Sequence, residues 1–123
     1  MLKPDIQDRT YKFALRIVKL SAALPKAGAL QVLARQILKL GTSVGANVRE
    51  AQNAFTRKEF AYFMNVARRE AGETHYWLSL LSDAGVVKSA RLADILAESD
   101  EIARILGAIV KKASRSHKGP PKN

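Results

Sequence analysis

Two glutamates on one helical face come closest to a reactive site in this chain. Glu70 and Glu73 lie three residues apart, and Trp77 follows one helical turn later. Paired carboxylates inside a helical bundle can hold a di-iron centre, but that centre needs Glu-x-x-His motifs on two helices and glutamates from two others. The chain contains no Glu-x-x-His motif, and His75 lies on a different helical face from the pair. The pattern therefore predicts no metal site.

A structural role fits these glutamates better, because a partly buried carboxylate is tolerated only beside a cation or hydrogen-bond donors. If the second and third helices fold back on each other, Glu73 comes level with Arg35, and we expect an ion pair between them. Asn47 and Glu50, also three residues apart, are expected to form a second polar cluster. The predicted structural network comprises Arg35, Asn47, Glu50, Glu70, Glu73 and Trp77.

The sequence also lacks the motifs of nucleophilic catalysis and of nucleotide binding. No serine or threonine lies in a glycine-flanked elbow, and the two histidines are His75, within a helix, and His117, near the end of the chain. Gly41 and Gly45 lack the lysine and the preceding strand of a phosphate-binding loop. We therefore expect no catalytic residue, no cofactor and no enzymatic activity.

Basic side chains are the chemistry that remains. The formal net charge is +10, and residues 111–123 contain five Lys or Arg and no acid. Lys and Arg neutralise phosphates and release counterions, so RNA or single-stranded DNA is a predicted partner. The candidate nucleic-acid-binding residues are Arg9, Lys12, Arg16, Lys19, Arg57, Lys58, Arg68, Arg69, Lys111, Lys112 and Arg115.

Two questions about this surface stay open at the level of sequence. Tyr11, Tyr62 and Tyr76 lie in the same segments, where they could stack on bases or pack inside the core. The charge could also serve solubility alone, in which case the chain is a protein–protein adaptor or a structural oligomer with no nucleic-acid role.

Helical periodicity runs through nearly the whole chain and predicts four segments, each with one apolar face. Short connections between them favour an all-α, antiparallel up-down-up-down four-helix bundle over residues 1–113, followed by a basic disordered tail over 114–123. The predicted buried residues are Ile6, Phe13, Ile17, Leu20 and Leu24; Leu30, Leu33, Ile37, Val44, Val48 and Ala51; Phe60, Phe63, Ala67, Leu78 and Leu81; and Leu92, Leu96, Ile102, Leu106 and Ile109.

Local signals place the ends of the first two helices. Pro4 opens the first helix and Pro25 follows its end. The second is predicted over residues 29–54 as one continuous helix, although Gly41 and Gly45 each cost about 1 kcal/mol against alanine. These glycines share a face, so a neighbouring backbone can approach closely.

The third and fourth helices have clearer boundaries. Thr56 and Glu59 form a capping box, and Phe55 with Phe60 are placed for a hydrophobic staple. Gly85 suits the left-handed residue that ends this helix near residue 83. Ser89 is then expected to cap the fourth helix.

Length and composition favour a single domain. A chain of 123 residues with 47% hydrophobic residues is long and apolar enough to bury one core. There is no cysteine, so a disulfide framework or a thiolate metal site is excluded. The start, MLKPDIQDR, lacks an apolar signal-peptide core, and no run of 18 apolar residues occurs. We expect a cytoplasmic protein without a membrane partner.

Three segments resemble a known family. They are GTSVGANVREA at 41–51, Glu59-Phe60-x-x-Phe63, and EAGETHYWL at 70–78. Together they closely resemble the bacterial four helix bundle protein family, also called the 23S rRNA intervening-sequence protein family, over about residues 5–112. The positions that the family pattern emphasises are Asn47, Glu50, Phe60, Phe63, Ala67, Glu73 and Trp77, and Gly72 departs from it.

The resemblance implies an up-down-up-down bundle that assembles as a ring-like homopentamer and has no enzymatic activity. It also implies distant kinship with the accessory protein of diversity-generating retroelements, a basic pentameric bundle that partners a reverse transcriptase and nucleic acid. Five copies would multiply weak phosphate contacts through avidity.

Overall fold

A computed structural model of the chain describes residues 4–118, with side chains described over residues 6–115. These residues form four helices, α1 (Pro4–Ala23), α2 (Gly28–Gln52), α3 (Arg57–Asp83) and α4 (Ser89–Lys118). No strand occurs in the described part of the chain. The predicted all-α class and the four-helix bundle are confirmed.

The helix ends lie mostly where the local signals placed them. Pro4 is the first residue of α1, where its missing amide hydrogen costs nothing. At the start of α3, Thr56 Oγ1 accepts a hydrogen bond from the Glu59 amide at 3.0 Å, as predicted. The Glu59 carboxylate accepts from the Phe55 amide at 2.9 Å and so completes the cap one residue earlier than expected. Gly85 has φ +74° just after α3, in the left-handed region that glycine tolerates.

Two boundary predictions were wrong. The Phe55 side chain is 98% exposed, so it forms no hydrophobic staple with Phe60, because it lies in the connection beyond the end of α2. The fourth helix continues through Lys118, so residues 114–118 are helical and not a disordered tail. Arg115 and Lys118 are good helix formers, and the stretch extends a helix that is already formed. The rest of the predicted tail, 119–123, lies outside the described residues.

The core lies between all four helices. α1 packs on α2, α2 on α3 and α3 on α4, whereas α1 and α4 share a much thinner contact. Every residue predicted to be buried is buried or packed against the core. Residues that the pattern missed include Met64, Ala71 and Ile95.

Three residues with hydroxyl side chains are buried among the residues that the structure describes, and each hydroxyl donates a hydrogen bond to a carbonyl of its own helix. Thr10 donates to the Ile6 carbonyl at 2.9 Å, Thr74 to the Glu70 carbonyl at 2.7 Å, and Ser99 to the Leu96 carbonyl at 2.8 Å. A hydroxyl that bonds back to its own helix can enter a core without a cross-helix partner.

α2 is continuous through both glycines, and they admit α1 at close range. A Cβ atom on Gly41 would lie 2.8 Å from Ile17 Cγ1, and one on Gly45 would lie 3.1 Å from the Thr10 carbonyl oxygen. Because the second contact is with backbone, a Cβ atom there would require α1 to shift by a few tenths of an ångström. The predicted close approach is confirmed.

Candidate nucleic-acid interface

A side-chain hydrogen bond of the EAGE segment at 70–73 joins α3 to α2. Asn47 Nδ2 donates to Glu70 Oε1 at 2.9 Å and to the Ser43 carbonyl at 3.1 Å. Burial raises the pKa of Glu70, and the neighbouring Glu73 raises it further, whereas the Asn47 hydrogen bond and the Lys39 charge lower it. The amide therefore supports a carboxylate that is partly removed from water.

The predicted ion pair between Arg35 and Glu73 does not form. Arg35 lines the side of α2 that faces α1, and Glu73 is exposed on α3, so the two side chains lie on different sides of the bundle. The predicted cluster of Asn47 with Glu50 is also wrong, because Asn47 turns to Glu70 and Glu50 is exposed. Trp77, also a predicted member of this polar network, packs against the core.

Arg9 connects α1 to α4. Its Nε and Nη2 atoms donate to the two carboxylate oxygens of Glu98, at 3.2 and 2.7 Å, and Nη2 also contacts Glu101. These hydrogen bonds raise the pKa of Arg9 above its already high ordinary value. Arg9 was a candidate phosphate ligand, but the structure assigns it to closing the bundle, because two carboxylates already occupy its donors.

The remaining candidates of the first helix are exposed to solvent. Lys12 forms an ion pair with Asp8 at 2.9 Å, one turn earlier on the same helix. Arg16 and Lys19 are exposed. In the predicted basic stripe, Arg9 and Lys12 thus pair with carboxylates of this chain, whereas Arg16 and Lys19 are exposed to solvent.

The candidate cations of α3 and α4 form the larger exposed group, which we call the basic surface. It comprises Arg57, Lys58, Arg69, Lys111, Lys112 and Arg115, all exposed. None of these six side chains makes an ion pair with a carboxylate among the residues that the structure describes. Their charge is therefore directed to solvent, where a polyanion can reach it.

Charge is segregated along both helices, and packing brings the basic segments together. Residues 57–69 of α3 contain four cations and one carboxylate, and no acid follows residue 101. The link between them is Arg68, which is half-buried: a Cβ atom on Gly107 of α4 would lie 3.6 Å from its Cδ. Arg68 also donates to Asn65 Oδ1 at 2.9 Å. The two basic segments consequently lie side by side.

All three tyrosines turn out to be exposed, which answers the question that their positions left open. Tyr11 is 58% exposed, Tyr62 63% and Tyr76 60%. The Tyr62 ring meets the half-buried Phe63 edge to face at a centroid distance of 5.2 Å, and Tyr76 meets Trp77 in the same way at 5.4 Å. In each pair the second aromatic is the one that packs against the core. That inward-facing neighbour was the signal in the sequence that placed the tyrosine outside.

Sequence reasoning missed an apolar groove between α1 and α2. The groove has a volume of about 320 Å³ and is lined on α1 by Val18 and Ala22 and on α2 by Ala34 and Leu38. Val18 is 46% exposed and Leu38 39%. Aliphatic side chains in this position lie outside the core and leave an apolar surface in contact with water.

The described residues contain neither a cluster of metal ligands nor a membrane-spanning helix. No group of three or more His, Asp or Glu side chains within the part of the chain that the structure describes is arranged to hold a metal ion. No helix in that part is long and apolar enough to cross a membrane.

Comparison with known proteins places this architecture. Residues 3–108 match the family described as 23S rRNA-intervening sequence protein. The chain belongs to this family. The match confirms the resemblance predicted from the three segments, and it ends before Lys111, so the basic residues at the end of α4 lie beyond it.

A solved structure supports the same assignment. The chain is 38% identical to a protein of unknown function from the S23 ribosomal protein family of Bacteroides thetaiotaomicron, with a TM-score of 0.79. The likeness covers 86% of this chain and 98% of the other. No curated protein matches the chain.

Proposed function

We propose that this protein is a non-enzymatic, oligomeric scaffold that binds RNA or single-stranded DNA through the basic surface. The observation that supports the proposal most directly is the exposure of six cations on one helix pair without internal carboxylate partners. Each such side chain can neutralise a phosphate and release a counterion, and that release drives nonspecific binding.

The proposed subunit is an antiparallel up-down-up-down bundle. The contacts of α2 with α1 support this direction, because Gly41 approaches Ile17 whereas Gly45, further along α2, approaches the earlier residue Thr10. Connections of only four or five residues, at 24–27, 53–56 and 84–88, also favour antiparallel neighbours.

The proposed assembly is a homopentamer, as the family resemblance implies. The groove between α1 and α2 supports association, since exposed Val18 and Leu38 would leave water when another copy covers them. In such a ring the basic surfaces of several subunits would act together, and weak phosphate contacts would add through avidity.

The test is titration of a labelled single-stranded RNA with the full chain, followed by fluorescence anisotropy from about 50 to about 200 mM salt. We expect tight binding at low salt and a steep, linear fall of log K against log salt concentration. Light scattering coupled to gel filtration, with and without the RNA, gives the subunit count of the free protein and of the complex.

Absence of binding at about 50 mM salt would overturn the nucleic-acid function. The alternative is then a protein–protein adaptor, for which the groove is the specific favouring observation. Purification of one stoichiometric protein partner that survives nuclease treatment would identify that role. A monomer in light scattering at every concentration would overturn the assembly separately.

A further inference from the structure

We infer that Tyr62 is a base-stacking residue, which makes the basic surface selective for single-stranded nucleic acid over other polyanions. The inference rests on the proposed function and deepens it, because phosphate contacts alone cannot distinguish RNA from any other chain of negative charge. Bases add a flat π-face that an exposed aromatic ring can contact.

The position of Tyr62 satisfies the geometry of a stacking site. Lys58 lies one turn before it and Arg69 two turns after it on the exposed side of α3, about 6 and about 10 Å away along the helix axis. A strand whose phosphates are held by these two cations therefore passes its bases over the ring. The Glu59 carboxylate also lies one turn before Tyr62, but it accepts the Phe55 amide at the helix start and has the cation Lys58 next to it in the sequence.

The ring is also held in place before any ligand arrives. Tyr62 is 63% exposed, yet it meets Phe63 at an interplanar angle of 76°, and Phe63 is fixed against the core. An aromatic side chain that is already ordered loses little conformational entropy when a base stacks on it. The remaining exposed area of the ring is available for that contact.

Tyr76 provides a matched comparison within the same helix. It is 60% exposed and meets Trp77 at 82°, so its local aromatic geometry repeats that of Tyr62. Glu73 lies one turn earlier on the exposed side, and Gly72 stands four residues before Tyr76, where Tyr62 has Lys58. Arg69 lies two turns earlier, beyond Glu73, and no cation follows Tyr76 in the rest of α3. A phosphate backbone is repelled there, so the same ring in that position is not a stacking site.

The experiment compares Tyr62→Ala, Tyr62→Phe and Tyr76→Ala with the wild-type chain. Each is titrated against a labelled single-stranded RNA of mixed sequence and against inorganic polyphosphate, which has the phosphates but no bases. We expect Tyr62→Ala to weaken RNA binding roughly tenfold and leave polyphosphate binding unchanged. Tyr62→Phe keeps the ring and should bind RNA like wild type, and so should Tyr76→Ala.

The outcomes separate this inference from the function on which it rests. If wild type binds no RNA, the proposed function is overturned and the inference with it. If wild type binds and Tyr62→Ala binds equally well, or loses RNA and polyphosphate in the same proportion, the stacking role alone is overturned. Light scattering on Tyr62→Ala provides the last check: a changed subunit count would place Tyr62 between copies of this chain and overturn the stacking role.

Discussion

The two helix pairs of this chain bury similar aliphatic stripes but present different chemistry to solvent. α1 and α2 meet through glycines at nearly backbone contact and leave an apolar groove beside Val18 and Leu38. α3 and α4 leave room for a Cβ atom at Gly107, 3.6 Å from Arg68 Cδ, and carry the basic surface. The two pairs differ in how charge is arranged and not in its excess: residues 1–52 carry nine cations and three carboxylates, whereas on α3 and α4 the cations gather at residues 57–69 and 111–115, apart from most of the acids. In the proposed function the first pair contacts protein and the second contacts phosphate.

Neutralising cations on one pair or the other tests this division most strongly. We expect Lys111→Gln/Lys112→Gln/Arg115→Gln to weaken RNA binding roughly a hundredfold at low salt and to reduce the salt slope by about 2, since each phosphate contact on a single strand contributes about 0.7. The matched control removes the same charge from the first pair, as Arg16→Gln/Lys19→Gln/Lys26→Gln, and should change both quantities little.

Fluorescence anisotropy over a salt series measures both quantities in these two variants. Equal losses would mean that net charge alone governs binding, and the proposed division between the pairs would then be abandoned.

Arg9, which pairs with α4 from α1, offers the next largest effect, on the free energy of unfolding. Arg9→Met should lower the free energy of unfolding by about 2 kcal/mol, because it leaves Glu98 and Glu101 without their shared cation at a partly buried site. Arg104→Met is the control: Arg104 pairs with Asp100 one turn away at the surface, and such a pair is worth only about 0.3–0.5 kcal/mol. Urea denaturation measures both, and similar values for the two variants would contradict a special role for Arg9.

Glycine substitutions compare the tightness of the α1–α2 contact with that of the α3–α4 contact. Gly45→Ala should cost about 1 kcal/mol net, because the added Cβ lies 3.1 Å from the Thr10 carbonyl oxygen and the overpacking exceeds the gain in helix propensity. Gly107→Ala should stabilise the fold by about 0.5–1 kcal/mol, since its Cβ would make an ordinary 3.6 Å contact with Arg68. Thermal unfolding followed by circular dichroism should show melting temperatures that shift in opposite directions for the two variants. Shifts in the same direction would mean that the α1–α2 and α3–α4 contacts are equally tight.

The pH dependence of stability tests the Asn47–Glu70 contact between α2 and α3, where we expect the smallest effect. Burial raises the pKa of Glu70 in the folded chain above its unfolded value, so the ionised carboxylate costs stability above the folded pKa. This cost is relieved as the pH falls through the folded pKa towards the unfolded one. Glu70→Gln keeps an oxygen for Asn47 and removes the charge.

We therefore expect Glu70→Gln to be more stable than wild type at pH 7, and the advantage to shrink as the pH falls through the folded pKa and to vanish below the unfolded pKa of a glutamate. Urea denaturation at several pH values measures the difference. A variant that is less stable at pH 7 would show that attraction to Lys39 outweighs the cost of burial.

Features with a short range in the sequence were predicted well. Helical periodicity identified the buried stripes, and the Thr56–Glu59 cap and the glycine that ends α3 follow from local backbone chemistry. The close approach at Gly45 was also predicted, because absence of a side chain on a buried face has one main packing consequence.

Contacts between distant segments were not predictable in the same way. Arg9 and Glu98 are 89 residues apart, and nothing in either local pattern indicates the other. The partners of Glu70 and Glu73 depended on which turn of α2 lies opposite them: the expected register paired Arg35 with Glu73, whereas the structure pairs Asn47 with Glu70. Helical periodicity alone left the exposure of Tyr62 open, because Tyr62 borders the apolar stripe, where a period of 3.6 does not distinguish inside from outside. The inward-facing neighbour Phe63 was the remaining signal.

Uneven packing around the bundle has a dynamic consequence. α3 packs against both α2 and α4, whereas α1 packs mainly against α2 and makes few contacts with α4. The ion pair of Arg9 with Glu98 is among those few contacts. Local opening should therefore cost least free energy at the α1–α4 edge. Amide hydrogens of α1 should therefore exchange with heavy water before those of α3.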